Sequence, residues 1–430
     1  MTRYQTFYEL RDQPERTLLS EHEVQLTIEI AEAVKAVGGL ALVVGGYPRD
    51  IVMHERLGKR LETKDVDLEV YGLQLEQLQN IIAPIHHINA VGASFGVLKV
   101  STLDVSLPRK DSKTGAGHRG FEIVADPTLS HAEAARRRDF TINTLALNPL
   151  TGELFDEHHG TQDIERQMLR MVDPDTFGDD PLRSLRAMQF VGRFGFHIDT
   201  ETLQAAQGLN LRELSKERVG EEWLKLLLKS EQPSRGLAAA LELGVIEQLH
   251  PELLALVDTP QEPEWHPEGS VWNHTLMAID VVADIIRREG LGRDEAMTVM
   301  LGALCHDLGK PLTTALDSET GRIRSHEHAK AGVPLAHAFM QTLCVPIKIQ
   351  QKVEHIVFDH MFLPEVRQAK DAAIRRLAKR LAPATVQELI WVTEADFCGR
   401  TLENPDLSLI RLFQKRADEL AVADAPLEHL

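Results

Sequence analysis

The spacing of apolar residues divides the 430-residue chain into two regions of different character. Up to about residue 150, short apolar runs alternate with amphipathic segments, which is typical of a mixed α/β unit. Beyond residue 150, apolar residues recur at helical spacing almost without interruption. The chain therefore predicts an α/β head followed by a mostly helical body. The strands expected in the head are 40–44, a run through Asp65 and Asp67, and the segments 87–91, 95–101 and 103–107.

The segment before the first strand predicts a supporting helix over residues 20–37. It begins with a capping box, in which Ser20 is followed by Glu23. Gly38 and Gly39 end the helix and deliver the chain to the first strand.

The stretch 40–70 carries the strongest chemical signal in the chain. Gly45 and Gly46 end the first strand at a point where the backbone must pass close to something bulky. A helix is expected to follow over residues 48–57. The free N–H groups at its start, with Arg49 nearby, form a natural place for a phosphate.

Two carboxylates follow in a second strand pattern. Asp65 and Asp67 lie two residues apart, so both point to the same face of the strand. Like charges so close repel each other unless a cation lies between them, and Mg²⁺ prefers carboxylate oxygens together with substrate phosphates. This pattern predicts a metal-dependent nucleotide site. Asp104, in the last predicted strand, is either a third carboxylate of the site or a solvent-facing position.

Two basic segments complete the head. Residues 109–120 are polar, glycine-rich and basic without an apolar period, which predicts a mobile loop able to reach a phosphate backbone. From residue 132 a helical pattern is expected, with Arg136, Arg137 and Arg138 ahead of an apolar stretch. The three arginines cannot share one helix face, so at most two of them touch a triphosphate. A solvated charged face is the alternative.

A second arginine pattern occurs in the helical region. Asp179 and Asp180 suit a helix N-terminus, and Arg183, Arg186 and Arg193 follow at spacings that place them along one helical face. Such a stripe either faces water or hydrogen-bonds the edge of a base. The second interpretation uses the fork-shaped guanidinium as donor and the carboxylate as acceptor.

The sequence WHPEG at residues 265–269 predicts a linker, and a set of histidines and aspartates begins after it. The members of this set are His274, His306, Asp307, His326, His328, His355, His360 and Asp396. A helical histidine upstream of a neighbouring His-Asp pair, with an aspartate downstream, supplies the mixed nitrogen and oxygen ligands that transition metals accept. The pattern predicts a second metal centre.

Composition restricts the classes of protein. The net charge of −18 argues against a protein that coats nucleic acid nonspecifically, because counterion release requires clustered Lys and Arg. Cys305, Cys344 and Cys398 form no CxxC pair, which favours a reducing cytoplasm over disulfides or zinc. No apolar run has the length of a membrane span, and the start of the chain has no targeting pattern. We therefore expect a soluble, cytoplasmic protein.

Three motifs together are more specific than any one of them. GGYPRD with DVD, RRRDFTINTLAL, and DDPLRSLRAMQF resemble the head and neck motifs of class II tRNA nucleotidyltransferases, the CCA-adding enzymes, and HD-type phosphohydrolase motifs follow. The resemblance covers about residues 38–400. The order of head, helical neck and HD module is similar to that of the multifunctional bacterial form.

The resemblance implies an α/β nucleotidyltransferase head with a polymerase-β-like mixed sheet, then a mostly α-helical neck and body, and an all-α HD domain. The expected boundaries are 1–37 for an N-terminal helical extension, 38–150 for the head, 151–264 for the neck and body with the base-reading motif, 265–400 for the HD phosphohydrolase domain and 401–430 for a C-terminal helical tail.

The resemblance also implies roles for individual residues. Asp65 and Asp67 would hold Mg²⁺ and act in catalysis, and Asp180 and Arg183 would read the base in place of a nucleic-acid template. The residues implied to bind the nucleotide are Gly46, Arg49, Arg138, Asp180, Arg183 and Arg186. The residues implied to hold a divalent transition metal in the HD domain are His274, His306, Asp307 and Asp396, with His328 and His360 as additional candidates.

The implied activity is template-independent addition of CCA to the 3′ end of tRNA from CTP and ATP, with tRNA as the partner. The HD site would add a phosphatase or 2′,3′-cyclic phosphodiesterase activity. Alternatives in the same class are a partial enzyme adding CC or A and a poly(A) polymerase, against which the HD module argues. Alternatives of other classes are an HD phosphohydrolase whose head only grips RNA and a regulatory nucleotide-binding protein.

Overall fold

The computed structural model describes residues 3–59, 65–89, 96–113, 121–401 and 406–424. The chain divides into two compact units, one made of residues 1–183 and 196–209 and the other of residues 184–195 and 210–430. Parts of four predictions lie outside the described residues: the strands at 87–91 and 95–101, the loop at 109–120, and the tail at 401–430.

The first unit contains the predicted mixed sheet and its helices, with elements numbered in order along the whole chain. Its helices are α1 (Phe7–Asp12), α2 (Glu21–Ala36), α3 (Gly46–Leu57), α4 (Leu75–Ile82), α5 (His131–Ala135), α6 (Gly160–Glu165), α7 (Pro174–Phe177) and α9 (Thr200–Gln207). Its strands are β1 (Leu40–Val44), β2 (Asp67–Tyr71), β3 (Ile88–Asn89), β4 (Val97–Val100), β5 (Leu103–Ser106), β6 (Arg109–Lys113), β7 (Phe121–Ala125), β8 (Ala146–Leu147), β9 (Leu154–Phe155), β10 (Met168–Leu169) and β11 (His197–Ile198). Helix α8 (Leu182–Phe194) follows α7 in the chain.

The main sheet of the described residues has the strand order β3-β4-β5-β2-β1-β8-β9. Strands β2 and β5 are parallel, and the other neighbouring pairs are antiparallel. The register places Asp67 opposite Val44 on β1 and opposite Asp104 on β5. The sheet therefore brings two of the sequence-predicted carboxylates side by side.

Local sequence signals explain the elements around β1. Helix α2 begins with the predicted capping box of Ser20 and Glu23, and it packs against β1. Helix α3 ends at Gly58, whose left-handed backbone conformation accommodates the turn. These elements confirm the predicted order of helix, strand, glycine turn and helix.

Two local predictions in the head were wrong. Residues 109–113 form β6, which pairs with β7, because ladder hydrogen bonds come from the backbone and require no apolar period. The helix expected from residue 132 ends as α5 at Ala135, because the backbone beyond it forms hydrogen bonds outside a helix. Phe140 forms a bridge with Met171, and a 3₁₀ turn spans Thr141–Asn143.

The second unit is helical apart from one hairpin among the described residues. Its helices are α10 (Lys216–Lys229), α11 (Pro233–Glu242), α12 (Val245–Leu249), α13 (Pro251–Leu254), α14 (Val271–Glu289), α15 (Arg293–Cys305), α16 (Lys310–Thr313), α17 (His328–Thr342), α18 (Ile347–Asp359), α19 (Asp371–Leu381), α20 (Val386–Cys398) and α21 (Ser408–Glu419), and the hairpin strands are β12 (Thr314–Leu316) and β13 (Ile323–Ser325).

Helix α15 is the centre of the second unit. It packs against α14, α18 and α20, and every residue from Ala296 to Cys305 is buried. The residues that follow α15 are therefore delivered to the interior. Across the part of the chain that the structure describes, no helix combines the length and the apolarity that crossing a membrane requires.

Candidate active sites

A cavity of about 280 Å³ lies beside β2 and β5 in the first unit. Its lining combines carboxylates with guanidinium groups, namely those of Asp67, Glu69, Asp104, Arg109, Arg137 and Arg138. Carboxylates hold hard cations, and arginines bind phosphate through paired N–H donors. The cavity therefore has the two chemical components that a metal-bound nucleoside triphosphate requires.

Asp67 is the first residue of β2, and its side chain opens into the cavity. Desolvation by the protein around it and the neighbouring carboxylate of Asp104 raise the pKa of Asp67, although Arg138 opposes this effect. The charge of Asp65, two residues earlier and exposed, acts in the same direction as that of Asp104. A divalent cation would relieve this repulsion, and the register favours the interpretation of Asp104 as a carboxylate partner.

Gly45 permits the close approach of this carboxylate to the backbone. Its φ angle is +83°, a left-handed conformation that favours glycine, and it caps the start of α3. A Cβ atom added there would lie 2.9 Å from Oδ2 of Asp67. The glycine pair identified in the sequence thus makes room for a side chain of the site itself.

Glu69 holds the arginines that line the cavity. It is 1% exposed, and its Oε1 accepts a hydrogen bond of 2.9 Å from Arg137, while Arg138 lies 3.8 Å from Oε2. Although burial opposes ionisation, Arg138 and Arg137 lower the pKa of Glu69. Among the described residues, the buried Nε atoms of both arginines have no hydrogen-bond partner. Two guanidinium groups are therefore fixed with donors left for phosphate oxygens.

The predicted nucleotide ligands Gly46 and Arg49 are not among the described residues that line the cavity. Gly46 is the first residue of α3. Arg49 is buried, pairs with Asp50 at 2.6 Å and donates a 2.9 Å hydrogen bond to the side chain of Asn143. The backbone carbonyl of Asn143 in turn accepts a 2.8 Å hydrogen bond from Arg138. Arg49 is thereby joined to Arg138 through one residue.

The predicted base-reading residues lie at the start of α8. The Asp180 side chain accepts a 3.1 Å hydrogen bond from the backbone N–H of Leu182. Arg183 is buried and donates to the backbone carbonyls of Thr176 at 2.8 Å and Arg137 at 2.6 Å. Arg183 is thus tied to the Arg137 backbone, next to Arg138.

Arg186 also lies on α8, where its guanidinium stands 5.3 Å from the centre of the Phe190 ring. Such a cation–π contact orients the guanidinium plane. The roles of Gly46, Arg49, Asp180, Arg183 and Arg186 in nucleotide binding stay predictions.

The predicted metal ligands of the second unit converge in its interior. They lie on α14 (His274), after α15 (His306 and Asp307), at the start of α17 (His328), after α18 (His360) and on α20 (Asp396). His274 Nε2 is 3.1 Å from Asp396 Oδ1, and His306 Nε2 is 3.1 Å from Asp307 Oδ2. Although burial opposes its ionisation, His306 and Lys310 hold the pKa of Asp307 well below its usual range.

Outer hydrogen bonds orient three of the predicted ligand histidines. The Nδ1 atoms of His306, His328 and His360 lie 2.7 to 2.8 Å from the backbone carbonyls of Ala303, Ser325 and Val357. Nδ1–H donation to these carbonyls leaves the Nε2 lone pairs facing the interior, which is the arrangement that metal ligation requires. Burial lowers the pKa of His360 to about 3, so its imidazole is neutral.

The predicted linker at 265–269 is part of this site. Glu268 Oε1 lies 3.0 Å from His274 Nδ1 and 2.8 Å from His266 Nδ1. Proline and glycine are typical of a linker, and between them stands Glu268, six positions ahead of the helical His274. A spacing of six residues matches neither the helical nor the strand repeat. The sequence alone therefore does not associate Glu268 with the site.

A cavity of about 220 Å³ opens onto the predicted ligands, and Trp265, Lys310 and Arg400 contribute to its lining. His326 also lines it, whereas the Nδ1 of His355 bonds the carbonyl of Arg380 and His355 is not among the described lining residues. The structure therefore brings together all but one member of the histidine and aspartate set.

The fold and the two sites define a class of protein. A mixed sheet with paired carboxylates beside a cluster of arginines belongs to a metal-dependent nucleotidyltransferase head, and a helical unit with buried His-Asp ligands belongs to the HD class.

Comparisons with known proteins place the chain within this class. The poly A polymerase head domain family matches residues 41–170, the probable RNA and SrmB-binding site of polymerase A matches residues 195–256, and the HD domain family matches residues 271–421. The Multifunctional CCA protein of Stenotrophomonas maltophilia K279a is 34% identical over 83% of this chain and 86% of its own length. That of Xanthomonas campestris pv. campestris B100 is 33% identical over 83% of this chain and 85% of its own length. The chain belongs to the multifunctional CCA protein family of tRNA nucleotidyltransferases.

Solved structures agree on the fold. The Bacillus stearothermophilus CCA-adding enzyme in complex with CTP has 21% identity and a TM-score of 0.60, covering 93% of this chain and 83% of that one. The Thermotoga maritima CCA-adding enzyme complexed with tRNA has 18% identity and a TM-score of 0.60, covering 98% of this chain and 87% of that one. The predicted fold class and family are confirmed.

Proposed function

We propose that this protein adds CCA to the 3′ end of tRNA from CTP and ATP, without a nucleic-acid template. The observation that carries the proposal is the cavity in which Asp67 and Asp104 lie beside Arg137 and Arg138. A Multifunctional CCA protein is 34% identical to this chain over most of the length of both. We also propose that it acts in the cytoplasm, where its tRNA substrate would be found.

The residues of the head fit a magnesium ion, because the repulsion at Asp67 favours a bound cation and carboxylate oxygens are the ligands that Mg²⁺ prefers. Asp65 and Asp67 would hold it, and the ion would lower the pKa of the attacking hydroxyl and neutralise the departing charge. Arg137 and Arg138 would orient the triphosphate. The 3′-hydroxyl would lose its proton to water as its oxygen bonds to the α-phosphorus, the bond from that phosphorus to the β-phosphate oxygen would break, and pyrophosphate would leave.

In our proposal, Arg49 and Arg183 support two neighbouring arginines of the cavity. Arg49 reaches Arg138 through Asn143, and Arg183 bonds the backbone of Arg137. Asp180 and Arg183 would present hydrogen-bonding groups to the base, and selection between CTP and ATP would follow from those groups.

The test of the proposal is extension of tRNA that lacks its 3′ end, with Mg²⁺ and CTP alone, ATP alone, or both. We expect the complete CCA end only when both nucleotides are present, as measured by product length on a gel. A product that ends at CC or gains only A would make this a partial enzyme, and a long ladder with ATP would make it a poly(A) polymerase. Nucleotide binding without extension would contradict the proposal.

We propose a second activity, hydrolysis of phosphate esters at the HD site with a divalent transition metal. The supporting observation is the group of buried His and Asp side chains whose ligand atoms lie close together beneath a cavity lined by Lys310 and Arg400. Imidazole nitrogens with carboxylate oxygens suit transition metals, and such an ion supplies an activated water at neutral pH. Lys310 and Arg400 would attract the anionic ester.

Replacing Asp307 with Asn separates the two activities. We expect hydrolysis of a nucleoside 2′,3′-cyclic phosphate to fall by at least about 10²-fold, because the variant loses an ionised metal ligand. Extension of tRNA by the same preparation should be unchanged, since Asp307 lies in the second unit and the head cavity in the first. Unchanged hydrolysis in the variant would contradict the assignment of the HD site.

A further inference from the structure

Helix α19 has one apolar side and one basic side. Its buried side is made of apolar residues, namely Ile374, Leu377, Ala378 and Leu381. Its other side carries four basic residues, all exposed, namely Arg375, Arg376, Lys379 and Arg380. We call this second side the basic face of α19. The helix thus packs its apolar residues into the second unit and presents a row of positive charges to solvent.

The segment around this helix is basic although the chain as a whole is acidic. Residues 367–380 contain six basic residues and one acidic residue, whereas the net charge of the chain is −18. The acidic residue, Asp371, pairs at 2.8 Å with Arg416, which lies outside the segment. Since a strongly acidic protein repels other polyanions, a polyanion can bind only where positive charge is concentrated, as it is on this face.

The positive charges on the basic face repel one another. Arg375 stands four residues before Lys379, and Arg376 has the same spacing to Arg380. Like charges at this spacing destabilise a helix. Basic residues in the last turn are favourable next to the helix dipole, which accounts for Lys379 and Arg380. This effect does not account for the two arginines in the middle of the helix.

The two mid-helix arginines also have no partner within the protein. Among the residues that the structure describes, neither Arg375 nor Arg376 forms a hydrogen bond or an ion pair. Their guanidinium groups therefore stabilise no contact of the fold. All N–H donors of both groups are available to a ligand from solvent.

The helix that carries these arginines is fixed at both ends. Near its C-terminal end, Nε of Arg380 donates hydrogen bonds of 2.9 Å to the buried carboxylate of Asp359, the last residue of α18. At its N-terminal end, Asp371 accepts a hydrogen bond of 2.8 Å from Arg416 on α21. The mid-helix charges are thus held on a rigid element, which lowers the cost of ordering them around a ligand.

We propose that the basic face of α19 binds the phosphate backbone of the tRNA substrate. A nucleic-acid backbone presents closely spaced negative charges, and guanidinium groups bind phosphate through paired N–H donors. The face lies outside residues 195–256, which match the RNA-binding family. Contacts of this kind position an RNA without reading its sequence. The inference rests on the proposed function, because CCA addition makes tRNA the polyanion that this protein meets.

The test is the salt dependence of tRNA binding by the full-length chain, measured by fluorescence anisotropy with a labelled tRNA that lacks its CCA end. The logarithm of the association constant falls linearly with the logarithm of the salt concentration. We expect the magnitude of this slope to decrease by about 0.7–0.9 in Arg375→Gln and in Arg376→Gln, and by about twice as much in the double variant, because each arginine neutralises one phosphate. The KM for tRNA in the extension reaction should rise while kcat is retained.

Arg293→Gln is the matched control. Arg293 is an exposed arginine of the same unit and is followed by two acidic residues, Asp294 and Glu295, so it belongs to no basic face. This variant should keep the slope of the parent. Replacing Arg375 and Arg376 with Lys should also keep the slope, because both charges remain. The melting temperature of each variant reports on its fold.

An unchanged slope in the double Gln variant, an equal change in Arg293→Gln, or a parent that does not bind tRNA would overturn the inference. Vesicles containing phosphatidylserine that bind the parent but not the double variant, with tRNA binding unaltered, would overturn it by assigning the face to a lipid surface. Extension of tRNA by a double variant with the parent's slope would leave the proposed function in place. The expected change in slope without extension by the parent would refute that function and support the basic face.

Discussion

Replacing Asp67 with Asn is expected to lower the rate of tRNA extension by about 10³-fold or more, without lowering the stability of the metal-free protein. The loss follows because a metal that stabilises transferring charge contributes several kcal/mol, and each 1.4 kcal/mol corresponds to about tenfold in rate. The amide keeps the shape of the carboxylate but provides a poor metal ligand. Extension kinetics under saturating Mg²⁺, CTP and ATP measure the effect.

The stability of the same variant reports on the repulsion at the site. The pKa of Asp67 is raised in the folded protein, so this carboxyl group favours folding only while it is protonated, and that contribution is lost as the pH rises through the folded-state pKa. At neutral pH the metal-free variant should therefore melt at the same temperature as the parent or higher. Any such gain should disappear below about pH 4, where the ordinary aspartate is protonated. A marked fall in melting temperature at pH 7 would contradict this interpretation.

Replacing Glu69 with Gln is expected to lower the free energy of unfolding by about 3–5 kcal/mol, because it removes the negative partner of a buried ion pair. Glu69 is 1% exposed and contacts both Arg137 and Arg138. The amide can still accept the 2.6 Å hydrogen bond from Tyr71, so the change isolates the charge. Denaturant titration of the first unit's transition measures the loss.

The exposed Glu76 on α4 supplies the control for this charge removal. Its change to Gln should alter stability by no more than about 0.5 kcal/mol.

The pKa of Glu69 is lowered in the folded protein, so its contribution to stability is present above the usual glutamate pKa and is lost as the pH falls through the folded-state value. The stability difference between Glu69→Gln and the parent should therefore shrink in acid. Equal stability of the two at neutral pH would refute the role of the ion pair.

Short-range signals predicted the local structure of the head well. The capping box of α2, the strand Leu40–Val44 and the stop at Gly58 all depend on neighbours within a few residues, and the structure confirms them. The alternation of Asp65 and Asp67 predicts one shared face for their carboxylates, and Asp67 lines the cavity beside β2. Such features are encoded by periodicity and caps, which a single sequence displays.

Contacts between residues far apart in the chain could not be predicted from the local sequence pattern. The pairing of Asp67 with Asp104 requires the parallel register of β2 and β5, and the partnership of Glu69 with two arginines depends on a contact 68 residues along the chain. Glu69 continues the two-residue alternation of Asp65 and Asp67, and this alternation is the sequence signal that could have placed it on their face of the strand. The position of Arg49 near the glycines could be inferred from the chain, whereas its hydrogen bond with the buried Asn143 could not.

The predicted ligands of the HD site are distributed over a long stretch of chain, and His274 meets a carboxylate 122 residues later at Asp396. The last ligand is supplied by α20, close to the end of the second unit. A polypeptide still under synthesis thus lacks a complete ligand set until nearly the whole unit has been made. The predicted metal centre therefore becomes complete only late in synthesis, and a product that ends before α20 lacks Asp396.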